Sequence, residues 1–486
     1  MQHSQTNKLL ADSLRPPKFR SAEAAARTSL WVTDTLTAVA TSRGTRPTHC
    51  LLKSGDPFGF ASLAGPKPTP PTGLTAHASV LLCLNLKILT FMTSTSSTTS
   101  KSLSRLRIIV LGYIVRGPIG GMAWSDLHYL LGLASLGHDV YFVEDSDDYP
   151  SCYDPVRGVT DTDPTYGLQF ATRIFAKVGL GDRWAYYDAH TSSWHGKSAN
   201  DILSVCANAD VILNFSGVNP LRPWFMEIPA RAFIDKDPVF TQIRHLSDPA
   251  ALNLAKQHTA FFSFGENIDC DRSTIPNDGL PWQATRHPIF LDAWPAIPGV
   301  EQEKFTTVML WDSYAAREYN GQHYGMKSDS FKPYLDLPQK TESIFELTVG
   351  SPTAPRSLLA SKGWVVQDPH ETTLDPWTYQ HYIQQSKAEF TVAKHGYVIS
   401  RSGWFSERSA AYLASGRPVL VQETGFSDWL HQTGYGVIPF NTLEEALAGI
   451  EEINSRYKFH CQAAREIAEE YFDARKVLTQ LLDRII

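Results

Sequence analysis

Two groups of residues in this 486-residue sequence have the types and spacing for chemistry. The first is cationic and hydroxylic: Lys394, Arg401, Ser402, Ser406, Glu407 and Arg408, followed by Thr424 and Gly425. An arginine bridges phosphate oxygens in a fork that lysine cannot match. A hydroxyl at a helix start satisfies an orphan amide or leaves that amide to a phosphate. Lys394, Arg401 and Arg408 are the candidates for a phosphate contact. The second group is polar and closes apolar runs: Asn214 and Ser216 end Val211–Gly217, Asp235 follows Ala232–Ile234, and Glu266 follows Phe261–Gly265. Strand ends line the crevice of a parallel sheet, so these side chains are expected to face it, with ordinary turn chemistry as the competing role. Asp126, His128, Asp235 and Glu266 are the candidates for a base, and His128 also fits a packed position beside a helix stripe. Asp145-Ser-Asp147 and Asp235-Lys-Asp237 carry a D-x-D spacing, the first read as a solvated loop and the second as a strand end near the cleft. No His/Asp/Glu set has convincing ligand spacing, so no metal is expected.

These groups need elements to hold them. Arg107–Tyr113 is a continuous apolar run of the kind a doubly buried strand shows, followed by Gly117-Pro-Ile-Gly-Gly121. Leu127, Leu130, Leu131 and Ala134 then recur at helical spacing, Gly137 stops the helix, and Asp139–Val143 forms a second strand. Strand, glycine loop, helix and strand make a βαβ unit and a parallel sheet. Gly120 and Gly121 would let helix-terminal amides face a ligand. One reading is a dinucleotide site with Glu144 on a ribose, although the glycines at 112, 117, 120 and 121 do not spell G-x-G-x-x-G. Further on, Pro281–Pro298 reads as a crossover between domains, and Thr306–Trp311, Phe345–Val349 and Gly363–Gln367 as strands. Pro376 opens a helix, and Glu389–Gly425 reads as strand, polar loop, small-residue helix, Gly-x-Pro and buried strand. A strand at Gly436–Phe440, a helix at Leu443–Ile450 and a long helix from Gln462 complete the chain.

Two stretches carry a family resemblance. Gly120-Gly121 with Leu133-Ala-Ser-Leu-Gly-His138 and the valine-bearing strand resembles the opening of GT-B glycosyltransferases. Gly416-Arg-Pro-Val-Leu-Val421, with Trp404-Phe405 and the small-residue helix, resembles their donor-binding segment. The resemblance implies an α/β protein with two facing Rossmann-like doubly wound domains. It places an acceptor domain at 105–295 and a nucleotide-sugar domain at 296–486, behind a disordered or non-native extension at 1–104. It implies that Lys394, Arg401, Ser402, Ser406, Glu407, Arg408, Thr424 and Gly425 bind the donor. Gly120, Gly121, Asn214 and Ser216 would form the acceptor-side loops, and Asp235, Glu266 or His128 would act as a base needed only for inversion. The implied activity transfers a sugar from a nucleoside diphosphate to an acceptor, the donor being a co-substrate and no cofactor being required. The sequence departs from the family at the two glutamates of the retaining pattern, which fall on Gly403 and Ala411. The plant-type pattern does not fit either, because Trp404 lies twelve residues before Gly416 rather than ten.

Composition narrows the partners. The net charge of −6 divides into an N-terminal segment, residues 1–101, with 11 Lys/Arg against 4 Asp/Glu, and a remainder with 33 against 46. An acidic body argues against a nucleic-acid surface, which needs clustered cations. Six cysteines without a C-x-x-C spacing are read as reduced thiols of a cytoplasmic protein. Val80–Met92 is too short to span a bilayer and Thr93–Ser100 cannot fold, so the leader is read as an extension, with a transit peptide or a natural start at Met92 as alternatives. The rival functions are an NAD(P)-dependent oxidoreductase and a non-catalytic nucleotide-sugar-binding protein.

Overall fold

The apolar run beginning at Arg107 forms β1 (Arg107–Leu111), the strand from which the first sheet grows. The computed structural model describes residues 105–486, so the expected extension at 1–104 lies outside the described residues. After β1 come β2 (Asp139–Asp145), the hairpin β3 (Cys152–Asp154) and β4 (Val159–Asp161), and β5 (Trp184–Asp188) and β6 (Ser193–Gly196). They are followed by β7 (Val211–Phe215), β8 (Ala230–Asp235), β9 (Ala260–Ser263) and β10 (Trp282–Ala284). The sheet order is β10-β9-β8-β7-β1-β2-β5-β6, parallel throughout except at β6, which runs antiparallel to β5. β1 and β7 sit centrally and are buried almost completely, which is why both read as unbroken apolar runs.

Residues 285–304 connect to the second sheet without a regular helix or strand. That sheet contains β11 (Phe305–Leu310), then, beyond the hairpin β12 (Arg317–Tyr319) and β13 (Gln322–Tyr324), β14 (Phe345–Gly350) and β15 (Val365–Gln367). β16 (Ala388–Thr391), β17 (Val419–Gln422) and β18 (Val437–Phe440) complete it, in the order β15-β14-β11-β16-β17-β18, all parallel. Its core is aromatic: Phe305 stacks on Phe345 with ring centroids 5.4 Å apart, and Phe390 stacks on Phe440 at 5.4 Å. Among the described residues, no helix is long and apolar enough to cross a membrane.

The helix Gly120–Ser135 after β1 is held between elements that come much later in the chain. Trp124 donates its indole N–H to the Pro376 carbonyl at 2.7 Å, at the start of the helix Pro376–Gln385. A Cβ on Gly120 would lie 2.6 Å from the Asp375 carbonyl oxygen, so its bare Cα is turned to that backbone rather than to a ligand. At the far end, a Cβ on Gly132 would meet Leu478 at 2.6 Å and Ala474 at 2.9 Å, both on the final helix Ala474–Ile485. The Ala474 amide also donates to the Ile289 carbonyl at 2.9 Å, so the chain end returns to the first sheet's side. These contacts leave no space for a methyl group. Gly120→Ala is expected to lower stability by about 1–3 kcal/mol through overpacking, readable by denaturant unfolding. A variant as stable as wild type would show that the gap relaxes freely.

Candidate functional site

The two parallel sheets turn their strand ends toward a common cleft of about 480 Å³. β11 and β14 reach it through Val308–Leu310 and Thr348–Gly350, and the first sheet reaches it through Phe215, Ser216 and Lys236. Carboxyl-terminal strand ends are where open α/β sheets bind ligands.

The second half of the chain supplies three cations. Arg408 is the second residue of the helix Glu407–Ala414. Its Nε donates to Glu389 Oε1 at 2.6 Å, Nη1 to the Val308 carbonyl at 2.6 Å, and Nη2 to Thr391 Oγ1 at 2.8 Å. Glu389 is completely buried on β16 and so fixes the guanidinium at the cleft wall. Lys394 donates to Asp237 Oδ1 at 2.8 Å and to the Tyr314 hydroxyl at 2.9 Å, an ion pair between the two halves. The Tyr397 and Tyr314 hydroxyls also donate to Asp237. Lys327, at the start of the short helix Lys327–Phe331, lines the cleft, and among the described residues no ion pair or hydrogen bond reaches its ammonium. Burial drives its pKa well below the ordinary lysine value, and the like charges of Arg408 and Lys394 push the same way against Glu389. An ammonium in that position is stabilised by an incoming anion. Ser406 caps the Glu407 helix without a side-chain bond to its amides.

Across the cleft, Asp126 accepts the Tyr113 amide on Oδ2 at 2.7 Å and Lys236 Nζ on Oδ1 at 3.3 Å. Burial raises its pKa, while Lys236 and the Tyr113 amide pull it back. Lys236 also donates to Ser125 Oγ at 2.8 Å and lies 3.8 Å from the Phe215 ring centroid.

His128 stands one step behind the cleft, stacked on Trp124 with centroids 5.3 Å apart. The Phe290 amide donates to its Nδ1 at 3.0 Å, which leaves the proton of the neutral ring on Nε2. That nitrogen lies 3.8 Å from Glu407 Oε1, and neither atom has a hydrogen-bond partner. Burial pushes His128 down to about 3 and Glu407 up to about 7, so near neutrality His128 is uncharged and Glu407 is poised between its two forms. Lys236 and Arg408 resist the Glu407 shift. The folded value exceeds the ordinary glutamate value of 4.5, so between pH 4.5 and 7 the folded state keeps a proton that the unfolded chain has lost. Stability therefore falls as pH rises through that window. Glu407→Gln is expected to remove this slope and to be more stable than wild type at pH 8 by on the order of 3 kcal/mol, with little difference at pH 4.5. Parallel unfolding curves at the two pH values check this, and an unchanged slope would contradict it.

The structure divides the residues singled out from sequence. Lys394, Ser406, Glu407, Arg408, Gly121 and Ser216 surround the cleft. Arg401 instead pairs with Asp428 at 3.0 Å on the surface, its backbone at φ 48°. Ser402 is spent on a turn, accepting the Trp404 amide at 3.3 Å. Thr424 donates to the Trp404 carbonyl at 2.6 Å, and the Gly425 carbonyl accepts from Asn267 Nδ2 at 3.0 Å, so both brace a loop behind the cleft. Asp235 is completely buried and its oxygens accept from Thr241, Ser263, Gln242 and the Asp237 amide, so it is turned away from the cleft. Glu266 pairs with Arg286 outside the cleft. Asn214 is buried, donating to the Asn219 carbonyl at 3.0 Å, and Gly120 packs on Asp375. Asp145 is not a free loop carboxylate, because Arg222 grips both its oxygens at 2.9 Å. Glu144 accepts the successive amides of Ile114, Val115 and Arg116, each at 2.7 Å, so the loop after β1 closes on a carboxylate of β2. Sequence reasoning singled out Asp237 only as part of the Asp235-Lys-Asp237 spacing at the end of β8, and it missed Lys236 inside that motif together with Tyr314, Lys327 and Tyr397.

No protein-family model matches the chain, and no curated protein matches it in sequence. Solved structures do match. An alpha-glucosyltransferase in complex with UDP and a 13-mer DNA containing an HMU base is 10% identical, with a TM-score of 0.50, over 79% of this chain and 100% of that one. The chain has the GT-B fold. Two further structures are similar to this GT-B chain at lower scores. HepE of Anabaena, with UDP and glucose, is 11% identical, with a TM-score of 0.44, over 78% of this chain and 99% of that one. Sucrose-phosphate synthase of Thermosynechococcus elongatus is 11% identical, with a TM-score of 0.44, over 78% of this chain and 98% of that one.

Proposed function

We propose that the protein is a glycosyltransferase that moves a sugar from a nucleoside diphosphate donor to an acceptor hydroxyl. The observation that carries the reading is the Lys327 ammonium, without an ion-pair partner among the described residues, beside Arg408 and Lys394 at the strand ends of the second sheet of a GT-B fold. A diphosphate there would meet three cations and the start of the Glu407 helix, whose dipole favours negative charge. As the acceptor oxygen attacks the anomeric carbon, the carbon–oxygen bond to the diphosphate breaks and its electron pair leaves with the phosphate. Cations already aimed at that oxygen stabilise the charge as it develops. Asp126 is the base in this reading and takes the acceptor proton, Lys236 and the Tyr113 amide holding its carboxylate in place. Asp235 and Glu266 have no such part, being occupied elsewhere.

In this reading lysine and arginine supply the positive charge, and transfer is metal-independent. The oxidoreductase alternative is disfavoured because Glu144, its ribose ligand at the end of β2, is bound to three amides of the loop after β1. The test is release of nucleoside diphosphate from a panel of UDP- and GDP-sugars, with and without EDTA. Release above background from at least one donor, unchanged by EDTA, is expected. Background release from every donor would refute the activity, and loss with EDTA would refute metal independence alone.

A further inference from the structure

We infer that the acceptor is a hydroxylated molecule with an apolar ring body, such as a phenol or an alicyclic alcohol, and not a carbohydrate; this rests on the donor reading above. The cleft is divided by chemistry. Its cations Lys327, Lys394 and Arg408 come from the second half, where a diphosphate has its counter-charges. The opposite wall is built from Tyr113, Ile119, Met122, Phe215 and Val218. Ile119, Met122 and Val218 are packed against the buried tyrosines Tyr113, Tyr149 and Tyr153, yet stay partly open at the cleft. Apolar surface left in water costs roughly 25 cal/mol per Å², which a ligand of matching character recovers.

The polar groups of this wall are concentrated and mostly paired among themselves. Ser125 accepts Lys236 Nζ at 2.8 Å, and Ser216 Oγ accepts the Lys236 amide at 3.2 Å. Asp126 is the one carboxylate of this wall; each of its oxygens already accepts one bond and has a lone pair left for a hydroxyl, while His287 Nε2, in the same cleft, has no partner among the described residues. A saccharide carries hydroxyls on all sides, and each one buried without a partner is penalised. An apolar ring with a single reactive hydroxyl meets the wall as it stands, its ring over Met122 and Val218 and its hydroxyl at Asp126.

The test measures binding to the full chain saturated with UDP, using 4-methylumbelliferone as the fluorescent phenol and maltotriose as the saccharide. The phenol is expected to bind and maltotriose not to displace it. Met122→Asp and Val218→Asp are each expected to weaken phenol binding at least tenfold while UDP affinity stays unchanged. Both side chains are partly exposed, and an unchanged melting temperature of the milder Met122→Gln and Val218→Thr, which should weaken the phenol less, separates lost contact from misfolding. Failure of the phenol to bind with UDP present, binding unaffected by all four substitutions, or displacement by maltotriose would each overturn the inference and leave the donor reading standing. Failure of every nucleoside diphosphate to bind would remove the donor reading, and this inference with it.

Discussion

Asp126→Asn is expected to lower the turnover rate of sugar transfer about 10²- to 10⁴-fold, the range a positioned general base contributes. The substitution keeps the shape of the side chain and its acceptor for the Tyr113 amide, 2.7 Å away in the native protein. What it removes is the ability to take a proton. Lys236 loses its ion-pair partner but keeps Ser125, at 2.8 Å, and the face of Phe215. Nucleoside diphosphate affinity should change little, because the cations assigned to the phosphates lie on the other side of the cleft. Initial rates at saturating donor and acceptor check this. A drop of less than about threefold would take the base role from Asp126.

The second large effect is structural. Glu389→Ala removes a fully buried carboxylate and leaves the Arg408 guanidinium without its charge partner. Breaking a buried pair from one side costs about 3–5 kcal/mol, more than the pair contributes relative to an apolar replacement, because the surviving charge stays desolvated. Arg408 would keep its bonds to the Val308 carbonyl and Thr391. Glu389→Gln, which can still accept from Arg408 Nε, should lose less. Denaturant unfolding of both variants checks the ranking, and a loss below about 1 kcal/mol for the alanine variant would mean that solvent reaches the pair.

The parts of the fold that were legible are those where one physical requirement dominates. β1 and β7 are buried on both faces, so their apolar runs could hardly be anything else. Gly137 at φ 89° and Gly416 at φ 71° end helices where a side chain would be strained, and both are visible as punctuation. The hairpin of β12 and β13 could also have been found. Its Asn320-Gly321 turn has φ 51° and 75°, the two-residue geometry which that dipeptide favours.

The site was legible only as a class of residues at a class of place. Polar groups after strands were the correct population, but Asp235, Lys236 and Asp237 are consecutive and their directions follow from turn geometry that no pattern encodes. Asp235 turns inward to Thr241 and Ser263, Lys236 faces the cleft, and Asp237 bridges to Lys394. The same holds for the arginines, since Arg408 is drawn into the cleft by Glu389 while Arg401 is drawn outward by Asp428. Gly120 shows a different ambiguity. Absence of a Cβ signals close approach, and only the coordinates show that the approaching atom is the Asp375 carbonyl. Lys327 was missed because its importance comes from burial without an ion-pair partner among the described residues, which depends on the packing of segments distant in sequence.

Titration calorimetry of UDP and GDP into wild type and Lys327→Ala tests the anion site most directly. Binding of at least one of them is expected, weakened at least tenfold in the variant, about 1.4 kcal/mol, with NAD giving no heat. Equal affinity in the two proteins, or binding of NAD and neither diphosphate, would contradict it.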